Sequence, residues 1–138
     1  MLYVGAENSN VRVSRANPDH SFTYLANSDD VASPDLVNQQ PGGMTGWFCA
    51  GSTAGILACT RPHGDANRTV TQGDLFIFDS RNFATRPDGS KQLKVLWRSD
   101  QHGISFLFNK FDPPVIWNGE ILVPTYDGNT GTLALRLN

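Results

Sequence analysis

Val115-Ile116-Trp117-Asn118-Gly119-Glu120-Ile121-Leu122-Val123-Pro124-Thr125 sets an Asn-Gly pair between two short runs of strand-forming residues. Both turn residues tolerate positive φ, as a two-residue β-hairpin loop demands, so this is the clearest hairpin signal in the chain. Working outward, Thr132–Leu137 alternates apolar and polar residues, and so does Val11-Arg12-Val13-Ser14, the period of a half-buried strand. Further strands are read at Leu2–Ala6, Val11–Ala16, Phe22–Ala26, Gly46–Ala50, Ile56–Thr60, Asp74–Asp79 and Lys94–Arg98. Phe76-Ile77-Phe78 and Val95-Leu96-Trp97 are continuous apolar runs, expected where both faces of a sheet are covered. Asn27–Pro41 and Ala84–Gln92 are rich in Asp, Asn, Ser, Gly or Pro and read as loops. No segment sustains a helical period, so the fold class is all-β, with antiparallel sheets of three or four strands and at most one short helix.

Composition agrees. Of 13 acidic residues only Glu7 and Glu120 are Glu, and 13 Gly with 8 Pro favour turns over helices. At 138 residues the chain reads as a single domain over 1–138. A formal net charge of −2 leaves no electrostatic footprint for nucleic acid. The apolar runs are too short to cross a bilayer, which argues against membrane insertion. No basic-then-apolar leader opens the chain, since Arg12 and Arg15 follow the first apolar stretch.

Cys49 and Cys59 flank the turn-like run Gly51-Ser52-Thr53-Ala54-Gly55. Their spacing about that turn puts both on one face of paired strands. A disulfide requires them to stand nearly opposite one another; the alternative is two buried thiols packing as small hydrophobes.

A unit of strand, turn and alternating strand recurs: Leu2–Ala6 with Asn10–Ser14, then Gly55–Cys59 with Gly73–Asp79, then Glu120–Thr125 with Gly131–Leu135. The spacing is irregular, within or somewhat above the roughly 40–50 residues of common propeller repeats. Such units bury their faces by stacking on neighbours.

Pro41-Gly42-Gly43-Met44, His63-Gly64-Asp65-Ala66-Asn67, Gly73–Asp79, Leu96-Trp97, Phe108-Asn109-Lys110-Phe111-Asp112-Pro113-Pro114-Val115 and Asn118–Thr125 follow in one order. That order resembles the C-terminal blades of the quinoprotein-like (PQQ-repeat-like) β-propeller family, over about Leu2 to Leu135. The spacing Asp79 to Leu96-Trp97 looks like the tryptophan-docking repeat of that family, widened here by a segment containing Arg86-Pro87-Asp88-Gly89. The resemblance implies antiparallel β-propeller-like blades, about two and a half of them, where whole rings carry about six to eight. It also implies a periplasmic or secreted location. Catalytic members hold the quinone and a calcium ion in a funnel built by many blades, with an acidic base. None of those motifs is recognisable here, so the resemblance implies a fold and carries no activity.

The residues themselves offer little chemistry. His63 and Asp65 share a loop with Asn67 and are the metal candidates, although two ligands are few and a Gly-Asp pair commonly bonds its own backbone. Asp79 precedes Ser80-Arg81-Asn82, where its carboxylate would tie down a turn between strands. Gly51–Gly55 superficially looks like a nucleophile elbow, but the serine stands one place early and a strand follows. His20, His63 and His102 have no Ser or Cys arrangement that singles out a triad. Trp47, Trp97 and Trp117 read as packing residues, or as a ligand-stacking platform. Lys110 and Arg98 near Phe108 and Phe111 mimic a basic-aromatic patch, against which stands the dispersed charge. Asn67-Arg68-Thr69 matches a glycosylation sequon. Structural roles are read for Asp79, Trp97, Pro113, Pro114, Asn118 and Gly119.

The expected function is a non-catalytic module for binding or assembly, with no cofactor. Two alternatives stand beside it: a C-terminal piece of a PQQ-dependent dehydrogenase, needing PQQ and calcium, and a carbohydrate-binding module. Outer faces without a neighbour predict a homo-oligomer, a dimer or trimer in which the first strands of one chain meet the last strands of another.

Overall fold

The computed structural model describes residues 1–5, 9–36, 46–127 and 131–136. Eleven strands run in chain order: β1 (Leu2–Gly5), β2 (Asn10–Ala16), β3 (Phe22–Val31), β4 (Phe48–Gly51), β5 (Ile56–Pro62), β6 (Gln72–Thr85), β7 (Lys91–Arg98), β8 (Phe106–Leu107), β9 (Val115–Trp117), β10 (Glu120–Pro124) and β11 (Thr132–Arg136). Two 3-10 turns, Pro34–Leu36 and Asp100–His102, stand where at most one short helix was expected. The ends of the strands read at Leu2–Ala6 and Thr132–Leu137, the run Pro41–Met44 and the end of the loop at Asn27–Pro41 lie outside the described residues.

The all-β expectation holds, but the strands do not divide into two and a half blades. β1-β2-β3-β7-β6-β5-β4 hydrogen-bond in that order into one sheet, with β8 added to β6, and β11-β10-β9 form a second sheet. The first sheet curls until its ends approach, making a nearly closed barrel. At the seam Gly5 lies against Trp47: a Cβ on Gly5 would stand 2.5 Å from the Trp47 Cβ, so only glycine lets the two edges meet. Two features make one sheet out of what the sequence reads as separate units. The first is the parallel pairing of β3 with β7 through Asn27 and Gln92. The second is the length of β6. Ser80-Arg81-Asn82, expected as a turn between strands, is instead an irregularity inside this 14-residue strand, which pairs with Lys94 at Asp79 and resumes with Leu93 at Phe83. The Asp79 carboxylate accepts from the backbone N–H of Arg81 and of Asn82, each at 2.9 Å. It thereby satisfies donors that the irregularity takes out of the ladder. Those bonds, that from the Arg81 N–H foremost, hold its carboxyl below the usual range.

Asn118 and Gly119 take φ of 48° and 77°, and Trp117 pairs with Glu120, the tight hairpin that the Asn-Gly pair demands. Pro114, just upstream, is buried, while Pro113 is exposed. The segment Ala84–Gln92, expected as a loop, is strand at both ends and turns only over 86–90; Asn27–Val31 likewise continues β3.

Two cores result. Val11, Val13, Trp47, Leu57, Phe76, Phe78 and Leu93 fill the barrel. Ala58, Leu75, Ile77, Phe106, Ile121 and Val123 pack the outer face of β5 and β6 against the three-stranded sheet. Phe76-Ile77-Phe78 is thus covered on both faces, as its continuous apolar pattern requires. Val95 and Leu96, read the same way, are exposed. Trp97 is half-buried beside the second core and stacks on His102 at 5.0 Å; it does not lie between two blades. Cys49 and Cys59 are direct partners in the β4–β5 ladder, their Cα atoms 4.1 Å apart, and they form a disulfide. The two-thiol alternative does not hold.

Candidate functional site

Two places concentrate polar chemistry. The first is an interior charge cluster at one end of the barrel. Arg61 on β5 and Asp74 on β6 face each other across the ladder and are only 5 % and 4 % exposed. Arg61 donates to Asp74 Oδ2 from Nε (3.1 Å) and Nη2 (2.9 Å), and from Nη1 to the Val31 carbonyl (2.8 Å). His63 Nε2 lies 3.0 Å from the same Asp74 oxygen. Arg98 on β7 grips Asp100 through Nε (2.8 Å) and Nη2 (2.7 Å), and its Nη1 is 3.3 Å from Asp30. Its bond to Asp100 outweighs partial burial and raises its affinity for the proton, while the same bond lowers the Asp100 carboxyl. The Arg61 and Arg98 guanidinium groups lie over the Phe76 ring, 4.7 Å and 4.4 Å from its centroid. This cluster ties β3, β5, β6 and β7 together. Its donors and acceptors are matched to one another, and no hydroxyl or thiol stands beside His63 as a nucleophile among the described contacts, so the cluster is a clamp.

The second place is a surface pocket of about 300 Å³. One wall is the β5–β6 connection, with Asn67, Arg68 and Thr69; the other follows β8, with Phe108, Lys110 and Phe111; Tyr126 closes it. The chain places these walls by backbone bonds. Phe108 N–H donates to the Thr71 carbonyl and Tyr126 N–H to the Leu107 carbonyl, both at 2.9 Å. Asp65 orders the first wall: its Oδ1 accepts from the Asn67 N–H at 2.9 Å, and its Oδ2 lies 3.3 Å from Arg68 Nε. Phe108 is buried, 5.8 Å from the Phe48 ring. Phe111 and Tyr126 are 66 % and 60 % exposed. Phe111 has φ of 74°, left-handed backbone in which a bulky residue costs on the order of 1–2 kcal/mol. Lys110 Nζ donates to Asn67 Oδ1 at 3.2 Å and sits 5.5 Å from the Phe111 centroid. Among the described residues it meets no carboxylate.

The metal candidates part company here: His63 turns to Asp74 and Asp65 to its own loop. No group of three or more His, Cys, Asp or Glu able to hold a metal ion exists among the described residues. The calcium that a catalytic quinoprotein would hold needs about six to eight oxygen ligands, and these residues do not fit it. Among the described residues, no helix is long and apolar enough to cross a membrane. Of the basic-aromatic group read from the sequence, Phe108, Phe111 and Lys110 do come together, whereas Arg98 belongs to the charge clamp. Asn67 and Arg68 take its place, and the sequence signal that pointed to them was the turn at Asp65. No family model, curated protein or solved structure matches the chain.

Proposed function

We propose that this chain is a non-catalytic binding module whose ligand occupies the pocket between the β5–β6 connection and the segment after β8. The observation that carries the reading is Phe111, a bulky residue held in left-handed backbone with its ring in solvent beside the ammonium of Lys110. Unfavourable backbone of this kind persists at ligand-contacting positions because the surrounding structure imposes it. Clustered mixed polar and aromatic surface in a concave place is the ordinary form of a small-molecule site. Nuclear magnetic resonance of the labelled protein with a panel of small polar and aromatic fragments tests this. Shifts should gather at residues 66–70, 108–111 and 126, and shifts gathered elsewhere, or none, would refute it.

Placing the module among the quinoprotein-like propellers rests on the ordered sequence motifs alone. The PQQ-dependent dehydrogenase alternative predicts a new absorbance band when the quinone and calcium are added. Assembly into a homo-oligomer is favoured by one further observation. Leu2, Val4, Phe22 and Tyr24 are exposed on the outward side of β1–β3, and Val115 and Trp117 are exposed on β9 at one edge of the three-stranded sheet, so the first strands and the last sheet both carry apolar surface. Light scattering should then give a mass above 15.1 kDa that rises with concentration.

A further inference from the structure

We infer that the pocket takes an acidic sugar, a hexuronate presented singly or at the end of a short chain; this rests on the binding-module reading above. The volume, about 300 Å³, lies at the low end of the roughly 300–1,000 Å³ spanned by small-molecule sites. It suits one or two rings. Its chemistry has three parts. Phe111 and Tyr126 are largely exposed aromatic side chains, the residue type on which the C–H face of a pyranose stacks. Lys110 supplies a positive charge that no carboxylate among the described residues neutralises, and Arg68, which pairs with Asp65 at 3.3 Å, adds a second cation to the lining. Neutral hydrogen-bonding groups complete the lining: Asn67 Nδ2, the Thr69 hydroxyl and Asn109 Oδ1 have no partner among the described contacts. The lining residues include two cations and no acid.

Simpler ligands leave part of this set unmatched. A benzoate-like acid stacks on the rings and pairs with Lys110, but it covers Asn67, Thr69 and Asn109 with an apolar edge, which costs those groups their water without replacement. A neutral sugar satisfies the amides and hydroxyl and stacks, yet gives Lys110 no counter-charge. A hexuronate provides the stacking face, the hydroxyls and the carboxylate together.

Calorimetric and resonance titrations of the full chain with methyl β-D-glucuronide, methyl β-D-glucoside and benzoate test this directly. The glucuronide should bind about twofold to fivefold more tightly than the glucoside, the worth of one partly exposed charge pair. Added salt should narrow that ratio. Lys110→Gln should abolish the preference, the glucuronide falling to the affinity of the glucoside in the same variant. Tyr126→Ala should weaken both sugars alike. Equal binding of the two sugars, a preference that survives Lys110→Gln, or benzoate binding more tightly than the glucuronide would each overturn the acidic-sugar assignment. In those cases shifts at residues 108–111 would still uphold the binding-module reading; glucuronide, glucoside and benzoate all leaving residues 66–70, 108–111 and 126 unmoved would overturn the assignment, and the fragment panel would then decide the module by itself.

Discussion

Two hairpins of this protein close with the same turn and end in opposite surroundings. Asn17-Pro18-Asp19-His20-Ser21 joins β2 to β3, and Arg86-Pro87-Asp88-Gly89-Ser90 joins β6 to β7. In both, the first residue's N–H donates to the last residue's carbonyl at 2.9 Å, and the fourth residue's N–H returns to the first residue's carbonyl. In both, the aspartate accepts from the serine N–H and hydroxyl, and the fourth residue is left-handed, φ 66° at His20 and 83° at Gly89. Proline starts each turn because its fixed φ suits that position. Three residues past the first turn, Tyr24 pairs with Ser14 and is 56 % exposed; three past the second, Leu93 pairs with Phe83 and is 2 % exposed. One ribbon projects while the other is docked. The docked one is held by Arg86, which reaches the Asp29 carboxylate through Nε at 2.8 Å and the Asn27 side chain through Nη1 at 3.1 Å. The matching residue, Asn17, bonds only Ser21 and Thr23 of its own hairpin. Turn chemistry therefore closes a hairpin, and long-range contacts decide whether it is packed.

The largest expected contrast is at the paired positions Leu93 and Tyr24. Leu93→Ala removes a side chain from the barrel core and should cost about 2–5 kcal/mol in urea unfolding, whereas Tyr24→Ala should stay within about 0.5 kcal/mol. A comparable loss at Tyr24 would mean that the first ribbon is covered in solution, as in the proposed oligomer. Next comes the anchor. Arg86→Ala should cost about 1–2 kcal/mol, since it removes several hydrogen bonds of a partly exposed charge, and Asn17→Ala should cost less than about half of that. Equal costs would show that the two hairpins are held alike.

The left-handed position sharpens the comparison further. His20→Gly should stabilise by about 0.5–1 kcal/mol, because glycine relieves the left-handed backbone, less the entropy it adds to the unfolded chain. Gly89→Ala should destabilise by about 1–2 kcal/mol despite open space around its Cβ. The smallest effect is with acid. Asp19 and Asp88 both have carboxyls lowered from 3.8, mainly by the side-chain bonds of Ser21 and Ser90. A carboxyl depressed in the folded state stabilises fully above its unfolded pKa, and that contribution is lost as pH falls through the folded value. Both turns should therefore loosen only below about pH 4, and to similar extents, in amide exchange across 17–21 and 86–90. Loosening of one turn alone would show that docking, and not the aspartate, sets its stability.

Much of the fold was legible where neighbouring residues decide the outcome. Asn118 and Gly119 make the turn their φ preferences allow, and Thr132–Arg136 alternates in burial along its length; the sequence put Cys49 and Cys59 on one face, and the turn over 52–56 sets them directly opposite. The repeated Pro-Asp-x-Ser turn at the two hairpin tips was not read from the sequence, where 84–92 was expected as a loop. The pocket was legible only in fragments. Phe108, Lys110 and Phe111 are adjacent in sequence, but Asn67 meets Lys110 across 43 positions, and no local pattern encodes that distance.

The sequence by itself determined that the chain is built of strands, the hairpin at Asn118-Gly119 and the alternation along Thr132–Arg136, because backbone conformation and period-two patterning are properties of a few consecutive residues. Only the tertiary structure decided that β3 runs parallel beside β7, that Arg61, Asp74 and Arg98 meet inside the barrel, and that Val95 and Leu96 stay in water while Phe76-Ile77-Phe78 is buried on both sides. Identical local patterns gain or lose their cover according to which distant strand arrives, and burial energy is paid by area removed from water, whatever the separation along the chain.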